Sequence, residues 1–390
     1  MKDEKIILAN TEKIFKEKFS KEPRKFFSPS RINIIGEHID YNGGKVLPCA
    51  IEIGTYACAE KNSTNKICAY SVNLDSYGEL DLDKLSYNRD LGWLNYLGGM
   101  AKFIKEAGYD FEGFDLVIEG NIPTGSGLSS SASLEVLVGF VISNLFNLNI
   151  SNLDLAKVGM KTENEYLGLH TGIMDQFAIA MGRKGSAILL DTNTLDYSYI
   201  DVDLKDLEIL ILNTNKPRSL IESKYNERRQ ETQKALYILK DFVDIDNLCQ
   251  LAKYPNWEDL LLHIEDKTLY KRARHCVEEN LRVKEMVKAM EAADYKKMGR
   301  LLNESHKSLR DFYEVTGREL DAITEGARQV DGCLGARMTG AGFSGCAIAL
   351  VEKNSIDEFS KKVKAYYKDQ TGLDAEILSS NIGSGPREIL

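Results

Sequence analysis

The sequence predicts an α+β fold in two domains, residues 1–200 and 201–390, on three observations. The chain of 390 residues is long for one hydrophobic core and sufficient for two. From about Lys25 to Asp201 the pattern is irregular and rich in strand-like runs. Past residue 200 it shifts to long helical segments, around Leu220 to Asp241, Tyr270 to Ala293 and Tyr295 to Val315, before strand character returns at Cys346 to Val351. The sequence contains no evident internal repeat or low-complexity tract.

The elements follow in order. Met1 to Phe19 is charged and carries Ile6, Ile7, Ile14 and Phe15, a spacing that suits an amphipathic helix and not a signal peptide. Val46 to Glu60 and Lys66 to Asn73 read as strands, and Trp93 to Ala107 as a helix. Phe114 to Glu119 reads as a strand and Ser131 to Phe146 as a helix, with a glycine- and serine-rich loop between them. Ser186 to Leu190 and Leu207 to Asn213 complete the strand candidates. The longest apolar run, Val136 to Ile142, contains Gly139 and stops at Ser143, so no membrane span is expected.

A formal charge of −9 argues against adhesion to nucleic acid and leaves small anionic ligands open. The seven cysteines, Cys49, Cys58, Cys68, Cys249, Cys276, Cys333 and Cys346, are odd in number and form no C-x-x-C pair, so neither a disulfide framework nor a zinc cluster is expected. The expectation is a cytoplasmic, monomeric enzyme whose partners are small molecules, with no nucleic acid and no membrane among them.

The loop Pro-Thr-Gly-Ser-Gly-Leu-Ser-Ser-Ser-Ala-Ser, residues 123–133, lies at the start of a helix, where unsatisfied N–H groups and the helix dipole favour an anion. Gly125 and Gly127 allow backbone angles and a close approach that a side chain would block. No Gly-Lys-Ser or Gly-Lys-Thr follows, and Ser130 stands where a dinucleotide fingerprint wants its third glycine. A flexible linker is the bland alternative, which the flanking strand and helix oppose.

Three further segments concentrate chemistry. Ser30 to Gly44 places Arg31, Glu37, His38 and Asp40 among glycines and an Asn-Gly turn, a set that suits the hydroxyls of a polyhydroxylated ligand as well as it suits a hydrated turn. In Gly168 to Gln176, Asp175 follows a glycine turn and could be only an N-cap. Upstream, Glu163 with a serine of the loop would make a workable Mg²⁺ site once phosphate oxygens join it. Gly340, Gly342 and Gly345 satisfy G-x-G-x-x-G, but they precede a strand and do not open a helix, so the nicotinamide context fails and a glycine-rich turn packed on another loop reads better.

In this order the segments resemble the GHMP small-molecule kinases over nearly the whole chain, and Arg31 to Pro48 is similar to the galactokinase signature. The resemblance also covers Gly172 to Gln176, Tyr225 within Ser223 to Arg229, Ser305 to Asp311, and Arg337 to Gly345. It implies a two-domain fold of mixed sheets with packed helices, an active site in the cleft between domains, and transfer of phosphate from ATP to the C1 hydroxyl of galactose. By motif, Arg31 and Asp175 would be the catalytic pair, and Arg31, Glu37, His38, Asp40, Gly172, Asp175 and Tyr225 would contact the sugar. Pro123, Thr124, Gly125, Ser126, Gly127, Leu128, Ser129, Ser130, Ser131 and Ala132 would cradle ATP, and Ser131 and Glu163 would hold Mg²⁺. Trp93 and Tyr96 would border the adenine, although core packing explains them nearly as well.

Two positions depart from the family pattern. Ile39 replaces a common threonine, as in related N-acetylgalactosamine kinases, and Ser344 replaces a usual glycine, which matters if that position needs a positive φ. The rival readings are a kinase for N-acetylgalactosamine and a non-catalytic galactose and ATP sensor. A nicotinamide-dependent oxidoreductase rests only on the Gly340 to Gly345 match.

Overall fold

The structure, a computed structural model, describes residues 3–123, 125–216 and 221–390, and the side chains of all of these except residues 221–223. The first half contains α1 (Glu4–Phe19), β1 (Arg24–Asn33), β2 (Lys45–Val46), β3 (Pro48–Lys61), β4 (Lys66–Ser71), β5 (Ser76–Asp81), α2 (Leu94–Glu106), β6 (Phe114–Gly120), α3 (Ser130–Leu145), α4 (Asn152–Lys161), α5 (Met174–Ala180), β7 (Ser186–Asp191) and β8 (Tyr197–Asp201). The second contains β9 (Leu207–Asn213), α6 (Ile221–Leu239), α7 (Trp257–Leu261), α8 (Lys267–Glu291), α9 (Tyr295–Ser308), α10 (Gly317–Arg328), β10 (Cys333–Thr339), β11 (Cys346–Glu352), α11 (Ile356–Thr371), β12 (Glu376–Ser379) and β13 (Arg387–Ile389).

The described strands form sheets ordered β13-β1-β3-β6-β4-β5, β10-β11-β9-β12 and β2-β7-β8. All named pairings are antiparallel except β4 with β6. The α+β expectation is met. The division near residue 200 stays a proposal, and β13 departs from it: Lys25 pairs with Ile389, so the chain's last strand lies in the first half's sheet.

Two cores organise the packing. One lies under the first sheet and gathers Phe26, Leu116, Leu97 and Leu137. The larger one joins Ile32, Ile34 and Leu128 of the first half to Leu210, Val283 and Met338 of the second. Each such side chain, fully buried, contributes about 1.5–3 kcal/mol. That shared core holds the two halves in register across the cavity described below.

Local chemistry explains the element ends that bear on the site. Asp3 caps α1 by accepting from Lys5 N. Helix α3 buries most of its circumference, so it forms by tertiary burial and not by an amphipathic stripe. The expected helix Tyr295 to Val315 is not uniform, because α9 stops at Ser308 and a π-helical turn spans Leu309–Tyr313. Leu47 splits the expected strand at Val46 to Glu60 into β2 and β3. Strand β1 also carries Ser30 to Asn33, which had read as part of a turn region. Eight consecutive buried residues leave that strand no alternation to detect, and its interior includes Ser28, Ser30, Arg31 and Asn33.

Candidate active site

Strand β6 delivers the chain to the loop ahead of α3. Gly125 and Gly127 take φ of 72° and 77°, where a side chain would be strained. Ser129, at φ 59°, is the N-cap residue of the 16-residue helix α3, yet its side chain makes no capping bond. Its hydroxyl instead donates to Asp175 Oδ2. The first-turn N–H groups of α3 therefore remain for a ligand.

A cavity of about 250 Å³ opens beside this loop. Gly125, Ser126, Gly127, Ser129, Ser130 and Ser131 form one wall, and Arg31, Glu37, His38, Asp40, Asp175 and Tyr225 form the other. Gly172 and Tyr96 also line it. Leu128 and Ala132 are core residues that anchor the loop, and Pro123 is not on the cavity wall. Trp93 packs against the core under the first sheet, donates to Ser76 Oγ and is not on the cavity wall. Thr124 lies outside the described residues.

Arg31 projects from β1 and donates from Nε to Asp175 Oδ1 at 2.7 Å and from Nη2 to Oδ2 at 2.6 Å. Its Nη1 donates to the Gly127 carbonyl at 3.0 Å. Burial works against its charge, but Asp175, then Glu37 and Asp40, more than restore it, so the guanidinium stays protonated. Asp175 is not an N-cap: it sits in the first turn of α5, whose N-cap residue is Ile173.

Asp40 is partly buried on the cavity wall. Burial and then the Asp175 charge push its carboxyl up to about 7. A Cβ on residue 172 would lie 1.9 Å from Asp40 Oδ2, so only glycine admits the carboxylate there. Glu37 is held from the second half: its Oε1 accepts from Thr339 Oγ1 at 3.0 Å and Gly340 N at 2.8 Å. Arg337 Nη2 also lies 2.8 Å away, a charge contact outside hydrogen-bond alignment. From α8, Glu279 Oε1 accepts from Gly36 N at 3.0 Å and Ser305 Oγ at 2.7 Å, pinning the backbone that presents Glu37.

Glu163 sits in the π-helical turn Thr162–Tyr166 that follows α4. Its oxygens accept from Ser131 Oγ at 3.2 Å and Thr171 Oγ1 at 2.5 Å. Burial raises its carboxyl above the ordinary range, and no cationic side chain is among the groups that offset this. Among the described residues no cluster of three His, Cys, Asp or Glu could hold a metal. One carboxylate with hydroxyls fits a hard cation that takes its remaining oxygens from phosphate and water.

The G-x-G-x-x-G segment is the turn between β10 and β11, and it packs on the phosphate loop. A Cβ on Gly340 would lie 3.0 Å from Gly127 O, and one on Gly345 2.7 Å from Ser126 O. Ser344 is not among the residues with positive φ; Phe343 takes that role at φ 61°, so the serine is accommodated.

Sequence reasoning missed Tyr41, Arg337 and Glu279 as site-shaping residues, and it placed Ser129 in the ATP loop without its bond to Asp175. Tyr41 and Arg337 lie inside motifs already singled out. Glu279 had its own signal, an acidic residue on the stripe between Cys276 and Val283 that faces the core.

Comparison with known proteins gives three family matches: "GHMP kinases N terminal domain" at residues 95–183, "Galactokinase galactose-binding signature" at 13–61 and "GHMP kinases C terminal" at 286–369. The chain is 51% identical to a galactokinase of Clostridium perfringens over 95% of its own length and 97% of the relative's. It is 49% identical to a galactokinase of Ligilactobacillus salivarius over 99% of each. A crystal structure of Lactococcus lactis galactokinase complexed with galactose superposes with TM-score 0.94 at 49% identity, covering 98% of this chain and 100% of that one. A mevalonate kinase at 20% identity and TM-score 0.66 shares the fold.

Proposed function

Because the chain belongs to the galactokinase family of GHMP kinases, we propose that it transfers the γ-phosphoryl group of ATP to the C1 hydroxyl of α-D-galactose, releasing galactose 1-phosphate and ADP. The observation that carries the reading is Arg31, whose one guanidinium binds both Asp175 and the phosphate loop.

Asp175 accepts the hydrogen of the C1 hydroxyl and orients its oxygen toward phosphorus. Oδ2 already takes Arg31 Nη2 and Ser129 Oγ, whereas Oδ1 takes Arg31 Nε alone, so Oδ1 is the oxygen with capacity left. The C1 oxygen bonds to the γ-phosphorus as the bond to the β–γ bridging oxygen breaks. In most analyses such a transition state is loose, so positioning and fixed positive charge supply most of the catalysis. Arg31 and the N-terminus of α3 supply that charge from this chain.

Glu37, His38, Asp40, Gly172 and Tyr225 form the sugar side of the cavity in this reading. Gly125 to Ser131 cradle the phosphates, and Tyr96 borders the base. Ser131 and Glu163 would hold Mg²⁺, which when bound neutralises charge on the phosphate oxygens. The test is ADP release by the pure protein over a panel of sugars. Galactose-dependent release supports the assignment, N-acetylgalactosamine as the better substrate moves it to that sugar, and no release with any sugar removes the enzyme reading.

A further inference from the structure

The ring of His38 lies between two oxygens that decide where its hydrogen sits. Nε2 is 3.1 Å from the Ala341 carbonyl oxygen. A carbonyl only accepts, so Nε2 carries a hydrogen. Nδ1 is 2.8 Å from the Tyr41 hydroxyl, and that hydroxyl is 3.0 Å from the hydroxyl of Tyr313. Burial first, then His275, Arg228 and Arg337, hold the imidazole's acid form down to about 3, so the ring has one hydrogen and not two. The two tyrosine hydroxyls keep their protons, since burial raises both well above the ordinary phenol range.

We propose that the Ala341 carbonyl fixes His38 in the Nε2–H tautomer and that Tyr41 is a positioning residue, which donates its hydroxyl hydrogen to the bare Nδ1 while accepting one from Tyr313 and so holds the ring's orientation toward the cavity. With Nδ1 occupied, the ring has a single polar capability toward the cavity, a donor at Nε2. The placement is fixed at the backbone too: His38 holds φ 62°, and Asn42 Nδ2 donates to its carbonyl at 2.9 Å. Tyr225 and Tyr313 flank the imidazole with ring centroids 5.7 and 4.9 Å away, which restricts its rotation.

The consequence for substrate rests on the galactose reading. A sugar hydroxyl that replaces the Ala341 carbonyl at Nε2 meets it as an acceptor, and its own hydrogen turns to a neighbouring carboxylate, Glu37 or Asp40. The sugar loop thus discriminates by the direction of hydrogen bonds as well as by shape. The Ala341 carbonyl holds the donor in place while the site is empty.

Nitrogen-15 NMR of protein labelled at its five histidines tests the tautomer directly, with His38→Gln identifying the signals. The expected spectrum shows His38 Nε2 protonated and Nδ1 bare. Tyr41→Phe should keep the Nε2–H tautomer, shift the Nδ1 signal toward that of an acceptor nitrogen without a hydrogen bond, and raise the galactose KM roughly five-fold with kcat changed by less than about two-fold, the loss of one hydrogen bond in uniform binding. Tyr313→Phe should keep the tautomer and move KM less. A wild-type His38 protonated at Nδ1 overturns the proposal, as does a Tyr41→Phe protein whose Nδ1 signal and galactose KM are both unchanged. The wild-type spectrum decides even if a variant does not fold, and it is independent of whether galactose is the substrate.

Discussion

Arg31 and Asp175 meet through two parallel hydrogen bonds, Nε to Oδ1 at 2.7 Å and Nη2 to Oδ2 at 2.6 Å. Such a fork fixes the plane of the carboxylate as well as its position. The arginine comes from β1, where its pairing with Ala50 of β3 leaves its backbone little freedom. The remaining nitrogen holds the Gly127 carbonyl, so the hydroxyl acceptor and the phosphate loop share one rigid support.

Arg31→Lys keeps the charge and loses the fork, because an ammonium cannot satisfy both oxygens and Gly127 in this geometry. A kcat loss of about 10²–10³-fold is expected, the range for removing a preorganised charge donor. Asp175→Asn should cost about 10²–10⁴-fold in kcat, the range for a positioned acid or base. Calorimetry with ATP should find nucleotide affinity nearly intact in Asp175→Asn, and wild-type turnover in either variant would reduce the pair to a structural role.

Glu163 is the single carboxylate beside Ser131 in the proposed cation site. Glu163→Gln should raise the Mg²⁺ concentration for half-maximal activity by roughly ten-fold or more, as charge is removed from a site that binds through one or two carboxylates. A Mg²⁺ titration that superposes on wild type would count against the ligand role.

Glu279 predicts a dependence of stability on acid. Burial alone would raise its carboxyl, but Arg282, His275, Arg337 and the Ser305 hydrogen bond outweigh that and bring it down to about 2, against an ordinary 4.5. A depressed carboxyl contributes stability that is present above the unfolded value and lost as pH falls toward the folded one. Two to three pH units correspond to roughly 3 kcal/mol. Glu279→Gln should therefore lower stability at pH 7 by about 3–5 kcal/mol, since it strands buried arginines, and its urea midpoint should fall less steeply than wild type between pH 5 and 3.

Glu135 predicts the opposite sign. It is completely buried on α3, accepts from Gln176 Nε2 at 2.9 Å, and leaves Oε1 without a partner. Burial, then the charges of Glu163 and Asp175, raise its carboxyl well above the ordinary range. A raised carboxyl has its stability intact below the unfolded value near 4.5 and loses it as pH climbs toward the folded value. Glu135→Gln has no proton to lose, so its stability relative to wild type should grow with pH above 5, by up to about 1.4 kcal/mol per unit. Denaturation of both proteins at pH 5, 6, 7 and 8 measures this, and a constant difference would show that Glu135 ionises freely.

The phosphate loop was legible because its physics is local. Two glycines, a serine run and an apolar segment are contiguous, and together they suffice for an anion site at a helix start. Gly172 was legible only through family resemblance, since its reason is the Asp40 carboxylate, which occupies the space of a Cβ. Strand β1 was hidden because both of its faces are buried, which removes the two-residue alternation a strand shows when one face meets water. Trp93 was ambiguous because an indole serves a core and a base equally well; the structure shows its contacts with the core and with Ser76.

What the sequence by itself determined is the set of chemical parts: the anion loop, the charged segment at Arg31 to Asp40, the α+β pattern, and the family they resemble. What only the tertiary structure decided is which distant groups hold those parts in place. Glu37 is gripped by Thr339, Gly340 and Arg337, and the backbone behind it by Glu279. Periodicity and turn signals arise from neighbours a few residues apart along one chain segment. The partners of a buried charge are instead set by how two halves close on a common core, and they are selected because an unpaired charge there would cost several kcal/mol.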